Sequence, residues 1–390
     1  MLELAKIVGD IDNLGRERAE SLTGVGEQFS QADGVVKEIA RDLGHATHKI
    51  KNARTSWLVA GFDERPDAVH PRPLCPSPHA VVAVDGSQIA PDRHEAAVCY
   101  LLNAASVILY YGTSDRPESK TVPKLCYRED ELFEEYGGRR VPVADKLLAM
   151  RRTLAESDEL LQAIETAEPR GVPVAALWDG SLIRWALENE PPDYKRRVLS
   201  RFLHTFEVAG ELNVPIAGYI SDPGSKDFVN SMRVMLCDMD TVDCDKCAHT
   251  DVTPGQRPCD GVGRLTDGMV FGRRLQEGER SVIFTSGSRI LSDYGEHEIR
   301  AFYLNIGREV VRIEIPKWVA DNPLLLDLVH AVCWDQAEKG RGYPVALAEA
   351  HEKAVIRGPE RRAFYEMVER SFIKHGAPIS RSLKRIAKGY

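Results

Sequence analysis

Two stretches constrain what this chain can fold into more than any other. They are Val81-Val82-Ala83-Val84-Asp85-Gly86-Ser87-Gln88 and Ala175-Ala176-Leu177-Trp178-Asp179-Gly180-Ser181-Leu182. Each is an apolar run that stops at Asp-Gly-Ser, the pattern of a buried strand entering a turn. Such a strand leaves its aspartate at its carboxyl end, the edge of an α/β sheet where ligands collect. Read singly, Asp-Gly is ordinary turn chemistry. Two copies, each closing an apolar run, predict two strands side by side with two carboxylates close together. Like charges that close call for a cation.

The 390 residues are enough for a full core and two or three domain-sized units. No apolar run approaches the roughly 18 residues that span a membrane, and the start, Met1-Leu2-Glu3-Leu4-Ala5-Lys6, has no signal-peptide pattern. The expected location is therefore cytoplasmic. A net charge of −8 argues against a sequence-independent basic coat but leaves room for a local basic channel. Eight cysteines are too sparse for a disulfide scaffold in a chain of this size.

Taken in order, residues 1–65 are read as a helical arm. Its apolar stripe (Leu2, Ile7, Ile11, Leu14, then Val36, Ile39, Leu43, Ile50) is too thin to form a core alone, so it should pack on a partner or on the main domain. A proline-rich loop, 66–78, marks a boundary. Strand 81–85 is followed by apolar runs 96–102 and 106–111, most simply a meander, and then by an irregular charged stretch, 113–140. A long helix from about 143 to 167, strand 174–178, a helix over about 194–212 and strand 214–220 follow. Beyond 237–268, a cysteine-containing insert, come strand 281–285, a hairpin of 301–306 and 310–315, and helices 323–339, 344–356 and 359–372.

The order β-β-β-α-β-α-β, with aspartates closing the first and fourth strands, is that of a ribonuclease H-like core: an α/β mixed sheet with flanking helices. That architecture places a third acid on the helix between the third and fourth strands. Glu156, Asp158, Glu159 and Glu165 are available there, and Glu156, two residues after the inward Leu154, is the choice, with Glu159 in reserve. His351 lies four residues after Leu347 and four before Val355, so its helix face is the inward one. A histidine so placed is ordinarily a satisfied core residue. Tyr343, just ahead of that helix, is expected near the same pocket mouth.

With these pieces the chain resembles the NurA-type nucleases, partners of the hexameric DNA translocase HerA. The resemblance is carried by Ala83-Val84-Asp85-Gly86-Ser87, by Arg151-Arg152 with Glu156, by Leu177-Trp178-Asp179-Gly180-Ser181-Leu182, and by Tyr219-Ile220-Ser221 with Lys226. It continues through Gly278-Glu279-Arg280-Ser281, Arg312-Ile313-Glu314-Ile315-Pro316 and the run from Gly342-Tyr343-Pro344 to His351, covering about 80–370. It implies a nuclease domain over 79–370 and a Mn²⁺-dependent (or Mg²⁺-dependent) nuclease acting on DNA ends. It further implies a homodimer docked on a HerA-like hexameric ATPase, in break resection or anti-phage defence.

Carboxylates and one imidazole suit Mn²⁺ or Mg²⁺ rather than a closed zinc site. Two ions held by Asp85, Glu156, Asp179 and His351 would activate a water and steady the leaving 3′ oxygen. Lys226 would neutralise the phosphate in the transition state, and Tyr343 would hydrogen-bond a water or phosphate or stack a base. DNA contact is expected from the basic tail 371–390, with Lys374, Arg381, Lys384, Arg385 and Lys388 and no acid. Cys237, Cys244, Cys247 and Cys259, spaced C-x6-C-x2-C-x11-C with His249 nearby, are read either as free thiols or as a structural Zn²⁺ site, an iron–sulfur cluster being the third reading. Two competitors are a non-catalytic DNA-binding adaptor of the same motor and a two-carboxylate glycosidase, which would need no metal. No G-x-x-x-x-G-K-[ST] occurs, so any ATP dependence belongs to a partner.

Overall fold

A computed structural model describes residues 3–22, 25–92, 98–253 and 255–377. It divides into two units that do not follow chain order: Met1–Arg72, Ser221–Ser288 and Arg300–Arg312 form one, and Pro73–Ile220, Arg289–Ile299 and Ile313–Tyr390 the other.

The second unit is a mixed α/β sheet flanked by helices. Its elements are β1 (His79–Ile89), β2 (Tyr100–Tyr111), β3 (Glu118–Cys126), α1 (Asp145–Ala167), β4 (Val174–Asp179), α2 (Pro192–Glu211), β5 (Ile216–Ile220), β6 (Val310–Pro316, from Ile313 onward), α3 (Pro323–Lys339), α4 (Val345–Ala354) and α5 (Gly358–Lys374). The strand order is β6-β5-β4-β1-β2-β3. β1 pairs antiparallel with β2 and parallel with β4, and β4 parallel with β5, so an antiparallel meander is joined to parallel crossovers. β1 and β4 read as nearly continuous apolar runs because both faces of these central strands are covered. On one side α1 buries Leu147, Leu148, Leu160 and Ile164, and α2 buries Phe202 and Phe206, in one cluster with Val82, Ile108 and Trp178. Truncating a fully buried ring such as Phe202 to alanine would cost about 3–5 kcal/mol.

Three sequence expectations need correction. The first Asp-Gly-Ser does not end its strand: β1 runs on through Asp85, Gly86, Ser87 and Gln88 to Ile89, in register with β2. The two apolar runs after it are not two strands, since Tyr100–Tyr111 is one (residues 96 and 97 lie outside the described residues). The third strand is Glu118–Cys126, inside the stretch expected to be irregular. All its side chains but Cys126 are exposed, and a polar edge strand carrying Lys, Glu and Pro lacks the alternation that marks a strand. A short hairpin, Phe133–Tyr136 with Arg139–Pro142, follows in the same stretch.

In the first unit the amino-terminal helices Val25–Arg41 and Leu43–Lys51 bury Val36, Ile39, Ala46 and Ile50 against Phe228, Val229 and Met232 of helix Asp227–Leu236. Asp42 caps the second of these helices by accepting from the His45 amide at 3.0 Å. An aromatic nest of Phe62, Phe228, Phe271, Phe284 and Tyr303 fills the core, Phe271 stacking on Tyr303 at 4.8 Å. Beneath it the fully buried Asp267 accepts from the amides of Phe228 and Val229 and from the Tyr303 hydroxyl at 2.6 Å. No described helix is long and apolar enough to cross a membrane.

Candidate active site

β1 and β4 bring the two aspartates together. They are parallel neighbours whose last registered pair is Val84 with Trp178, so Asp85 and Asp179 are the next residues on adjoining strands. Asp179 reaches solvent at its strand end, yet its neighbours crowd it enough to raise its pKa. Desolvation and the Asp85 charge push it up; a hydrogen bond from Tyr343 and the nearby His351 oppose them. Tyr343 is held in turn by an edge-to-face contact with the buried Tyr219, ring centroids 5.7 Å apart.

The third carboxylate comes from α1. Glu156 is buried on the helix face that covers the sheet, and Gly86 is what lets it fit. A Cβ at residue 86 would lie 2.4 Å from Glu156 Oε1 and 2.8 Å from its Cγ. The glycine after Asp85 is thus required by the glutamate rather than by a turn. Burial raises the Glu156 pKa to about 7; Arg152 and Arg184 pull it down while Asp85 and Asp179 push it up. Arg152, one helical turn earlier, pairs with Glu156 Oε1 at 3.1 Å.

His351 is not on an inward face. α4 buries Leu347, Ala350 and Ala354, and His351 is exposed, its Nδ1 2.8 Å from Asp85 Oδ2. The helical spacing was right, but the buried stripe is narrow and His351 falls beside it. What holds α4 there is the first motif's serine: Ser87 Oγ donates to the Ala354 carbonyl at 2.5 Å, and Asn103 Nδ2 donates to the same oxygen at 2.8 Å. Together they satisfy a last-turn carbonyl of α4 that the helix itself leaves open.

The second Asp-Gly-Ser does close its strand. Gly180 has φ of +90°, a conformation that favours glycine, and its amide donates to the Tyr219 carbonyl at 2.9 Å. Glu314 of β6 fixes the loop, its Oε2 accepting from Ser181 Oγ at 2.7 Å and from the Leu182 amide at 2.9 Å.

The remaining expected residues have other neighbours. Lys226 belongs to the first unit, where its amine donates to the Gly263 carbonyl at 2.8 Å. Glu159 is buried but engaged by Ser106 Oγ at 2.7 Å and Lys120 at 3.2 Å; Asp158 pairs with Arg201. Cys237, Cys244, Cys247 and Cys259 line one pocket of the first unit, with Trp57, Arg233 and His249. Burial and the three other thiols raise the Cys244 pKa. Of the tail, only Lys374 lies within the described residues; Arg381, Lys384, Arg385 and Lys388 lie outside them.

Sequence reasoning missed Gly86, Arg152, Arg184 and Glu314 as parts of this arrangement. The four-residue spacing of Arg152 and Glu156 was a usable signal. Nothing in the sequence signals that Arg184 lies near Glu156. As a donor set, three carboxylates and an imidazole at one sheet edge fit hard divalent cations such as Mn²⁺ or Mg²⁺. The space left by the missing Cβ of Gly86 is what admits the deepest of these carboxylates.

A family model described as the NurA domain matches residues 79–356, more than half of the chain. No curated protein gives a match. Among solved structures, the NurA nuclease from Sulfolobus solfataricus is 14% identical, covering 92% of this chain and 98% of its own, at a TM-score of 0.46. A NurA structure with manganese is 11% identical, covering 91% and 95%, at a TM-score of 0.37. The catalytic domain of human endonuclease V is 16% identical, covering 75% and 85%, at a TM-score of 0.31.

Proposed function

The chain belongs to the NurA family of nucleases, and from that premise we propose that it is a divalent-metal-dependent deoxyribonuclease that degrades DNA ends. One observation carries the reading: Asp85 and Asp179 on adjoining parallel strands, with His351 against Asp85 and the buried Glu156 against Gly86. Three carboxylates in one neighbourhood repel one another unless protons or cations intervene. Asp85, Asp179, Glu156 and His351 would hold Mn²⁺ or Mg²⁺, which when bound supplies an activated water and offsets charge on the leaving oxygen.

The chain's own side chains set the stage for that chemistry. Arg152 steadies the Glu156 carboxylate from one helical turn away. Tyr343 would orient Asp179 through its hydroxyl and hydrogen-bond a phosphate or stack a base. Ser87 and Asn103 lock the end of α4 and with it His351. Lys226 would neutralise a phosphate with the ammonium protons that its bond to the Gly263 carbonyl leaves over. The Cys237, Cys244, Cys247 and Cys259 thiols would hold a structural Zn²⁺; what supports this is that all four line one pocket.

The same reading extends to partners. A HerA-like hexameric ATPase would feed DNA to the nuclease in end resection or anti-phage defence, and the basic tail would contact DNA. A homodimer would use the amino-terminal arm, where Leu4, Val8, Ile11 and Leu14 are all more than half exposed. The test is cleavage of end-labelled DNA by the purified chain with Mn²⁺, with Mg²⁺ and with chelator, alone and beside a co-expressed hexameric ATPase. Cleavage that chelation abolishes is expected; no metal-dependent cleavage in any arm would sink the proposal.

A further inference from the structure

A second cluster of ligand side chains sits at the head of β1, on the amino-terminal side of Asp85. Among the described residues, Cys75, His79 and Asp335 form a group whose donor atoms all lie within 4.8 Å of one another. Cys75 is on the loop before β1, His79 is the first residue of β1, and Asp335 is on α3. All three belong to the second unit.

The imidazole is held in a ligand's posture. Its Nδ1 is 2.6 Å from the Pro76 carbonyl, and a carbonyl only accepts, so Nδ1 carries the proton and Nε2 presents its lone pair. A backbone carbonyl on the far ring nitrogen is the usual outer support of a metal-bound histidine. The ring stacks on Tyr111, its cross-strand partner, at 4.9 Å and 19°. Tyr111 is pinned by Gln336 Nε2, which donates to its hydroxyl at 2.9 Å, and Lys339 lies over its ring at 4.6 Å. His79 is 3% exposed, so the ring is both fixed and shielded from water.

The other two donors complete the set. Cys75 Sγ lies 3.8 Å from His79 Nε2. Ligands 2.3 and about 2.05 Å from a tetrahedral zinc sit about 3.6 Å from each other, so sulfur and nitrogen already have nearly the separation a shared ion imposes. Asp335 Oδ1 is paired with Lys339, while Asp335 Oδ2 is buried with no hydrogen-bond partner. A buried carboxylate oxygen left bare is costly and calls for a partner. A Cys–His nucleophile would leave that oxygen idle, because the group that orients the imidazole is Pro76 and not the carboxylate.

We propose that Cys75, His79 and Asp335 bind a Zn²⁺ ion, with water in the fourth position where the half-exposed Cys75 opens to solvent. A thiolate and an imidazole select zinc over Mn²⁺ or Mg²⁺, so this centre and the carboxylate cluster take different ions. The ion staples the proline-rich loop and the head of β1 to α3, the helix that leads into Tyr343 and α4. It is a structural centre, independent of whether the chain cleaves DNA.

The experiment is zinc content per full-length chain after zinc loading in excess Mg²⁺ and desalting. Wild type, Cys75→Ser and Asp335→Asn are compared, each with and without Cys244→Ser to account for the other cysteine group. Loss of one equivalent with Cys75→Ser and with Asp335→Asn, in either background, is expected. Asp335→Asn keeps side-chain shape and so guards against misfolding; zinc should raise the melting temperature of wild type by roughly 3–6 °C and that of Asp335→Asn by less. Equal zinc content in Cys75→Ser and Asp335→Asn as in their parents would overturn the assignment.

Discussion

The two Asp-Gly-Ser segments are identical in sequence and different in structure. In the first, the strand passes straight through, Gly86 makes room for Glu156, and Ser87 seals the end of α4. In the second, the strand stops, Gly180 turns the chain at positive φ, and Ser181 is tied to Glu314. Only the aspartates are used alike, at one level on adjoining strands. A repeated motif here marks a shared chemical demand, while its glycine and serine serve whatever packs nearby.

The largest effect should come from the shared element. Asp85→Ala or Asp179→Ala should lower DNA cleavage by at least about 10³-fold, since metal stabilisation of the transition state is worth several kcal/mol. Circular dichroism and melting should stay close to wild type, because neither carboxylate supports the core.

The two glycines should then separate cleanly. Gly86→Ala drives the Glu156 side chain aside, and a misplacement of about 1 Å can cost 10²-fold in rate with little loss of stability. Gly180→Ala meets no atom within 4 Å and adds only backbone strain, roughly 1–2 kcal/mol of stability, with activity per folded molecule retained. Paired melting curves and rates measure both; the reverse pattern would break the comparison.

Glu156 gives a smaller, pH-dependent signal in metal-free protein. Its folded value of about 7 lies above the ordinary 4.5, so between those pH values the folded chain keeps a proton the unfolded chain has released. Stability should therefore fall as pH rises through that window, by up to about 1.4 kcal/mol per pH unit, and level off above it. Glu156→Gln should flatten the slope in denaturant titrations at pH 5, 6, 7 and 8, most clearly between pH 6 and 7, because the buried Asp267, raised to about 6, adds a slope of the same sign below that. The smallest effect is Tyr343→Phe, which removes one hydrogen bond to Asp179 and should cost about 1 kcal/mol of transition-state stabilisation, near fivefold in rate.

The central strands were legible in the sequence because both of their faces are buried, and burial on both sides writes itself as an unbroken apolar run such as 81–84. Helix Pro323–Lys339 began and ended as expected, with Asn322 capping it. Chain order points to an acid on the helix between strands three and four, and the place of Glu156 two residues after the inward Leu154 singles it out from Asp158, Glu159 and Glu165. What stayed hidden depends on contacts between distant residues. Glu118–Cys126 looks like loop because an exposed edge strand buries nothing. Gly86 looks like a turn because the residue that demands it is 70 positions away in the sequence. His351 was assigned inward by spacing, whereas the buried stripe of α4 ends at Ala350 and Ala354.

Everything proposed for the active site requires Asp85, Asp179 and Glu156 to share a divalent ion at one sheet edge. Calorimetric titration of Mn²⁺ into metal-free wild type and into Asp85→Asn measures this without any DNA. A saturable Mn²⁺ site in the wild type, weakened at least about tenfold by the loss of one charged ligand, is the predicted result. Equal Mn²⁺ affinity in the two proteins would contradict it.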